Sequence, residues 1–124
     1  MNATIVTANE GQSLQWQLRF SAPTFGFEFY CFLIPPAGTE LTSSDVPDSW
    51  LEALFVKPPS SPVPLSRLRF PIRASFSYGA RSAILSVPIS KDRKAEGEES
   101  ISCEYYDVQS GSTLTLVGIV PKHS

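Results

Sequence analysis

The sequence predicts an all-β fold, a two-sheet antiparallel β-sandwich of seven or eight strands with one short helix. Short segments alternate between apolar and polar residues at the period of two that half-buried strands require. Turn residues separate these segments into local hairpins. Strands do not alternate with helices, which argues against a parallel α/β sheet. The 124 residues fit a single domain spanning positions 1–124.

The clearest strand is Ser13–Phe20. Its buried face consists of alternate apolar residues, namely Leu14, Trp16, Leu18 and Phe20. An edge strand from about Thr4 to Ala8 precedes it and turns into it at Gly11. Two strands are therefore expected within the first 20 residues.

The segment Phe25–Ile34 is apolar on nearly both faces. One face carries Phe25, Phe27, Phe29, Cys31 and Leu33, and the other carries Glu28, Tyr30, Phe32 and Ile34. Such a pattern is typical of a central strand, or of a strand whose outer face is covered.

The helix signal follows Pro35, Pro36 and Gly38. Asp45 or Asp48 is expected as its N-cap, with Pro47 near the first turn. The apolar residues at helical spacing are Trp50, Leu51, Leu54 and Phe55. The eight residues Lys57–Pro64 include four prolines and predict an extended connector without ladder pairing.

The second half of the chain predicts two hairpins. A strand is expected through Arg67–Tyr78, at a sheet edge because Pro71 lacks an N–H. Gly79 turns it into a partner strand, Arg81–Ile89. After a charged loop at Lys91–Glu99, strands Ser100–Val108 and Thr113–Val120 are joined by the four-residue loop 109–112.

The sequence shows no evident group of catalytic or metal-binding residues. The only histidine, His123, lies one residue from the C-terminus, where a general base would not be held rigidly. Three acidic residues lie on strands that could be neighbours, namely Glu28, Glu104 and Asp107. The favoured interpretation is that they are surface charges that keep sheet edges from pairing. The carboxylates near Asp45 do not form a calcium loop of recognised spacing. We therefore expect no enzyme, no cofactor and no metal site.

Charge and hydropathy exclude further classes. A net charge of −2 and an isoelectric point near 5.3 argue against bulk binding of nucleic acid. No segment approaches the ~20 apolar residues of a membrane span. Localisation stays open, with a virion or extracellular surface favoured.

A basic stripe is the one functional-looking feature. Residues 61–90 carry four arginines and no acidic residue. Arg67, Arg69 and Arg73 are predicted on the polar face of one strand, and Arg81 on the next. Guanidinium groups in a row could bind a glycan or another anionic ligand, although outward arginines also protect edge strands from pairing.

The cysteines allow two interpretations. Cys31 and Cys103 are 72 residues apart, close to the spacing of the immunoglobulin bridge, and both are predicted to point inward. The tryptophan and tyrosine that accompany that bridge are missing, and alignment on Gly11 puts Leu18 at the first cysteine position. The chain resembles at most an immunoglobulin-type sandwich without its disulfide, so two buried free thiols are preferred over a bridge. A jelly-roll topology stays open.

A stiff β frame without reactive groups is expected to act by binding. The leading hypothesis is a non-enzymatic module that binds other protein subunits or itself, such as a protruding or decorating domain of a viral capsid. The alternatives are an extracellular immunoglobulin-like receptor or adhesion domain, and a sandwich that binds glycans or polyanions.

Overall fold

The computed structural model describes residues 2–19, 28–75, 79–91, 97–107 and 111–121. They form an all-β structure of two sheets with one short α-helix. The seven strands in these ranges are β1 (Asn2–Thr7), β2 (Ser13–Arg19), β3 (Glu28–Ile34), β4 (Pro71–Ser75), β5 (Ser82–Pro88), β6 (Glu99–Asp107) and β7 (Ser112–Val120). The predicted all-β class is confirmed.

The larger sheet has five strands in the order β1-β7-β6-β3-β4. The predicted C-terminal hairpin is confirmed, because β6 and β7 pair antiparallel from Glu99↔Val120 to Asp107↔Ser112. As predicted, β3 is a central strand and β1 and β4 lie at edges. The expectation of purely antiparallel sheets is wrong for one pair, since β1 runs parallel to β7.

The smaller sheet pairs β2 with β5 in antiparallel register. Burial alternates strictly along β2, which confirms the prediction from its period-two pattern. The predicted hairpin between the strands on either side of Gly79 is wrong, because β4 pairs with β3 in the other sheet. Alternation identifies which face of a strand is buried but carries no information about the partner strand.

Both sheets contribute to one hydrophobic cluster. Trp16 of β2 is completely buried and donates a hydrogen bond from Nε1 to the Val117 carbonyl oxygen of β7, at 3.2 Å. Gly118 makes this close approach possible. A Cβ atom there would lie 2.7 Å from Leu14 Cδ1 and 2.9 Å from Trp16 Cζ2. The two sheets therefore touch where β7 has no side chain.

The segment 35–70 connects β3 to β4 and contains all the helical structure of the described residues. Two 3₁₀ helices, Ser43–Asp45 and Leu65–Leu68, flank the α-helix α1, Asp48–Ala53. The predicted N-cap at Asp45 or Asp48 is wrong, because Pro47 occupies that position. Phe55 is also not on the buried helical face, since it lies beyond the helix end and is 86% exposed.

Hydrogen bonds hold this segment in place. The Glu40 carboxylate accepts from the Ser66 backbone N–H at 2.6 Å and from the Ser66 hydroxyl at 2.9 Å. The buried Asp45 carboxylate accepts from the Thr42 N–H at 2.8 Å. The last residue of the connector, Pro64, forms an isolated antiparallel bridge with Thr42, which is not part of a ladder.

The predicted strand Arg67–Tyr78 is wrong at its start. Leu65–Leu68 is a 3₁₀ helix, and Arg69 follows it with a φ of 54°. The strand begins only at Pro71. The end of the prediction, residues 76–78, lies outside the described ranges. Residues 20 and 25–27, which belong to the two earlier strand predictions, also lie outside them. Among the described helices, α1 included, none is long and apolar enough to cross a membrane.

Candidate functional site

The face of the five-stranded sheet that points away from the core carries exposed apolar side chains. One row crosses four strands, because Ile5 pairs with Val117, Val117 with Ser102, and Ser102 with Ile34. Directly paired residues point to the same side of a sheet. Ile5 is 62% exposed, and Val117 and Ile34 are half-buried.

The neighbouring row centres on Phe32 of β3. It pairs with Glu104 of β6 and Pro71 of β4. Phe32 is 59% exposed, and Glu104 is exposed beside it. From here on, the outer face means the surface formed by these two rows and by Ile119 of β7.

The distance between the exposed apolar side chains of the outer face suits contact with a macromolecular partner. Ile5 and Phe32 are three strand positions apart in the sheet order, a lateral distance of about 14 Å at ordinary strand spacing. Between them the first row holds Val117, the buried Ser102 and Ile34, and the second row holds the exposed Glu104. The outer face thus carries separate exposed apolar side chains with a serine and an acidic group between them.

A cleft opens at one end of the outer face. The chain after β3 returns over β6, where the Ser100 N–H donates to the Thr39 carbonyl oxygen and the Leu41 N–H to the Ser100 carbonyl oxygen, both at 2.8 Å. The cleft between this loop and the sheet has a volume of about 260 Å³. It is lined by loop residues 36–39, by Glu98, Ser100 and Ser102, and by Val117 and Ile119.

The predicted basic stripe is divided among different elements. Arg67 is exposed in the second 3₁₀ helix, and Arg69 is exposed just after it. Arg73 belongs to β4, and Arg81 is exposed immediately before β5. The three arginines from 67 to 73 do not share one strand face as expected, because the strand starts after the first two. Anion or glycan binding by these residues stays a prediction.

The two cysteines are both completely buried and free. Cys31 lies on β3 and Cys103 on the adjacent β6, where Cys103 pairs with Leu33. A hydrogen bond with the Cys103 thiol, together with burial, raises the pKa of Cys31 above its ordinary value. The preferred interpretation of two buried free thiols is confirmed, and they belong to one sheet rather than to opposite sheets.

The carboxylates considered for catalysis are not brought together by the strand register. Glu104 pairs with Phe32, Glu28 pairs with Ser75 and Asp107 with Ser112. Within the described part of the chain, no three histidine, cysteine or acidic residues are grouped so that they could hold a metal ion. The predictions of no catalytic and no metal site stay predictions for the chain as a whole.

Comparison with known proteins adds no assignment. No family model matches the sequence, and the searches of curated proteins and of solved structures find no match.

The sequence pattern around Phe32 was unusual, but it did not show whether this side chain is buried within the chain or exposed to a partner. Apolar residues on both faces of β3 indicated either a second buried face or a covering partner. The structure leaves Phe32 largely exposed in the described chain. Ile5 had no such signal, because a lone isoleucine on an edge strand is ordinary.

Proposed function

We propose that this protein is a non-enzymatic recognition module that binds other protein subunits through the outer face. The observation that carries the proposal is the exposure of Ile5 and Phe32, 62% and 59%, on one side of one sheet. Single exposed apolar residues are common on soluble proteins, but several that share one face of a sheet are typical of a docking site.

The composition of the outer face supports a protein partner. Aromatic and aliphatic side chains at the centre of an interface supply its binding energy through burial, and a few charges around them orient the partner. Phe32 and Val117 provide the first kind of group, and Glu104 provides the second. A partner that presents apolar side chains with a nearby cation would complement this arrangement.

We further propose that the two sheets form a β-sandwich of immunoglobulin variable type. The order β7-β6-β3-β4 matches the G-F-C-C′ sheet of such domains, and the pair β2-β5 matches strands B and E. Two features depart from that pattern. The C–C′ connection here is the long segment 35–70, and no disulfide joins the sheets.

This connectivity favours a second candidate, an extracellular receptor or adhesion domain. The free cysteines count against it, because secreted sandwiches are usually oxidised. The leading setting is therefore an assembly in which a rigid small domain contacts other subunits, such as a viral capsid that it decorates or from which it protrudes. This choice is an analogy of architecture.

The test compares three forms of the protein as bait in an extract of the source cells. The double variant Ile5→Ser, Phe32→Ser removes the apolar anchors of the outer face. The control Ile84→Ser changes a residue that is 60% exposed on β5 of the other sheet. We expect the wild type and the control to retain the same partner, and the double variant to lose it by at least about tenfold. Equal capture by all three proteins would remove the outer face from the proposal.

A further inference from the structure

A serine hydroxyl in the cleft has no hydrogen-bond partner within the described chain. Ser102 of β6 lines the cleft and is only 6% exposed. Its hydroxyl forms no hydrogen bond with any residue that the structure describes. Buried polar groups are normally hydrogen-bonded, because an unpaired one loses its hydration without compensation. A ligand in the cleft would supply the partner that the described residues do not.

A carboxylate at the start of the same strand is also unpaired. Glu98 immediately precedes β6, lines the cleft and is exposed. Among the described residues it has neither an ion pair nor a hydrogen bond. The neighbouring Ser100 donates its hydroxyl proton to the Thr39 carbonyl oxygen at 3.4 Å, which leaves the Ser100 lone pairs as acceptors. Acceptors beside a negative charge favour a cationic ligand with N–H donors.

The rest of the cleft is largely apolar. Val117 and Ile119 of β7 are half-buried and line it from the sheet, and Pro36 lines it from the loop. The volume of about 260 Å³ is below the ~300 Å³ at which pockets for drug-sized ligands begin, but it exceeds the ~150 Å³ that admits benzene. One long side chain with an alkyl stem and a charged end matches both parts of the cleft. Lysine and arginine side chains have this form.

Arginine suits these polar groups better than lysine does. A guanidinium carries several N–H donors in a planar fork that matches a carboxylate, and it is more weakly hydrated than an ammonium. It therefore loses less hydration when it enters a half-enclosed cleft. Arginine is also enriched in protein interfaces, whereas lysine is depleted there.

The length of the cleft also allows contact with the backbone that carries the arginine. Positions 98 and 102 are four residues apart, which is about 13 Å in an extended strand. A guanidinium at Glu98 therefore leaves Ser102 available to a main-chain amide of the same segment. The alkyl part of the side chain would cross Val117 and Ile119.

We propose that the cleft binds an arginine side chain of the protein partner, with its guanidinium at Glu98 and a main-chain amide of the partner at Ser102. This inference rests on the proposed function, because the cleft opens at one end of the outer face. It adds the chemistry by which the partner is recognised. An arginine in the cleft would also fix the orientation of the partner on the outer face.

The test is a nuclear magnetic resonance titration of the full chain with two small compounds. The first is Nα-acetyl-arginine N-methylamide, and the second is the citrulline compound of the same length, which is neutral. We expect the amide signals of Gly38, Ser100 and Ser102 to shift saturably with the arginine compound, with a dissociation constant of about 1 mM. The citrulline compound should bind at least about tenfold more weakly, because it lacks the charge.

Two variants assign the binding to the proposed groups. Glu98→Gln keeps the size of the side chain and removes its charge, so the affinity for the arginine compound should fall about tenfold. The control Glu52→Gln makes the same change at an exposed position of α1 and should leave the affinity unchanged. Ser102→Ala should weaken binding about two- to fivefold, because one hydrogen bond is lost. The melting temperature Tm verifies that each variant is folded.

Three results would overturn the arginine site: no saturable shift at the cleft, equal affinity for the arginine and citrulline compounds, or undiminished affinity of Glu98→Gln. The titration contains no partner protein, so its result is read separately from the capture experiment with Ile5 and Phe32. Failure of that capture experiment removes the outer face as the binding surface, whereas failure of the titration removes only the arginine site.

Discussion

The contact between the two sheets and the segment 35–70 are stabilised in different ways. Between the sheets, Trp16 and Leu14 are completely buried against Gly118, and packing dominates. The segment 35–70 also buries apolar side chains in the core, such as Leu41, Leu51 and Leu65, and polar groups such as Glu40 position its backbone through additional hydrogen bonds. Both left-handed non-glycine residues of the described chain, Phe55 and Arg69, lie in this segment.

The difference shows where the fold tolerates strain. A close-packed interior responds to any change in volume, so an unfavourable conformation there would disturb many neighbours. Phe55 and Arg69 are both exposed, so their left-handed conformations lie outside this close-packed interior. The sheets thus act as the frame, and the segment 35–70 carries the unusual surface feature.

The most severe test of this comparison removes the largest side chain between the sheets. Trp16→Ala should lower the free energy of unfolding by about 3–5 kcal/mol, because it creates a large cavity and loses the hydrogen bond to Val117. Urea unfolding followed by circular dichroism measures this loss. Trp16→Phe, which keeps most of the apolar volume, should cost about 1–2 kcal/mol. Similar stability of the wild type and Trp16→Ala would mean that the contact is not the principal core.

A smaller change adds one methyl group at the same contact. Gly118→Ala should lower the free energy of unfolding by about 1–3 kcal/mol, because its Cβ would lie 2.7 Å from Leu14 Cδ1. The same urea titration measures the effect. Gly97→Ala is the control, since no atom lies within 4 Å of a Cβ there. If the two variants unfold alike, the sheets are not as close at Gly118 as described.

The smallest effect is expected in the segment 35–70. Glu40→Ala removes the acceptor of both Ser66 hydrogen bonds and should cost about 1–2 kcal/mol of unfolding free energy. Hydrogen exchange should show faster amide exchange at Ser66, with the exchange of β6 and β7 unchanged. Glu52→Ala, at an exposed position of α1, is the control. Uniformly faster exchange through both sheets would show that the segment and the frame unfold together.

The strands could be predicted where burial alternates along one element. The pattern of β2 identified Trp16 and Leu18 as buried, and the inward residues of β5 were identified in the same way. The strand with which each strand pairs could be predicted only for β6 and β7, because a short loop joins these two. The pairing of β4 with β3 depends on contacts across 39 or more positions, from Phe32↔Pro71 onward, and no local pattern encodes them.

The surface features were less predictable than the frame. Phe55 fits the helical spacing of Trp50 and Leu51, so the sequence favoured a buried position for it. The helix instead ends at Ala53, and the backbone turns Phe55 away from the core. The two early arginines were assigned to a strand because Leu68 and Phe70 alternate with them. Leu65 and Leu68, however, are three residues apart, which is the period of the 3₁₀ helix found there.

The parallel pairing of β1 with β7 constrains the order in which the protein can form during synthesis. Asn2–Thr7 is synthesised before the strand beside it, Ser112–Val120, and more than 100 residues separate the two. Until then the edge of β1 lacks this partner, and its apolar residues stay available for wrong contacts. A chaperone that shields β1 until β7 has been synthesised would therefore raise the yield of native protein.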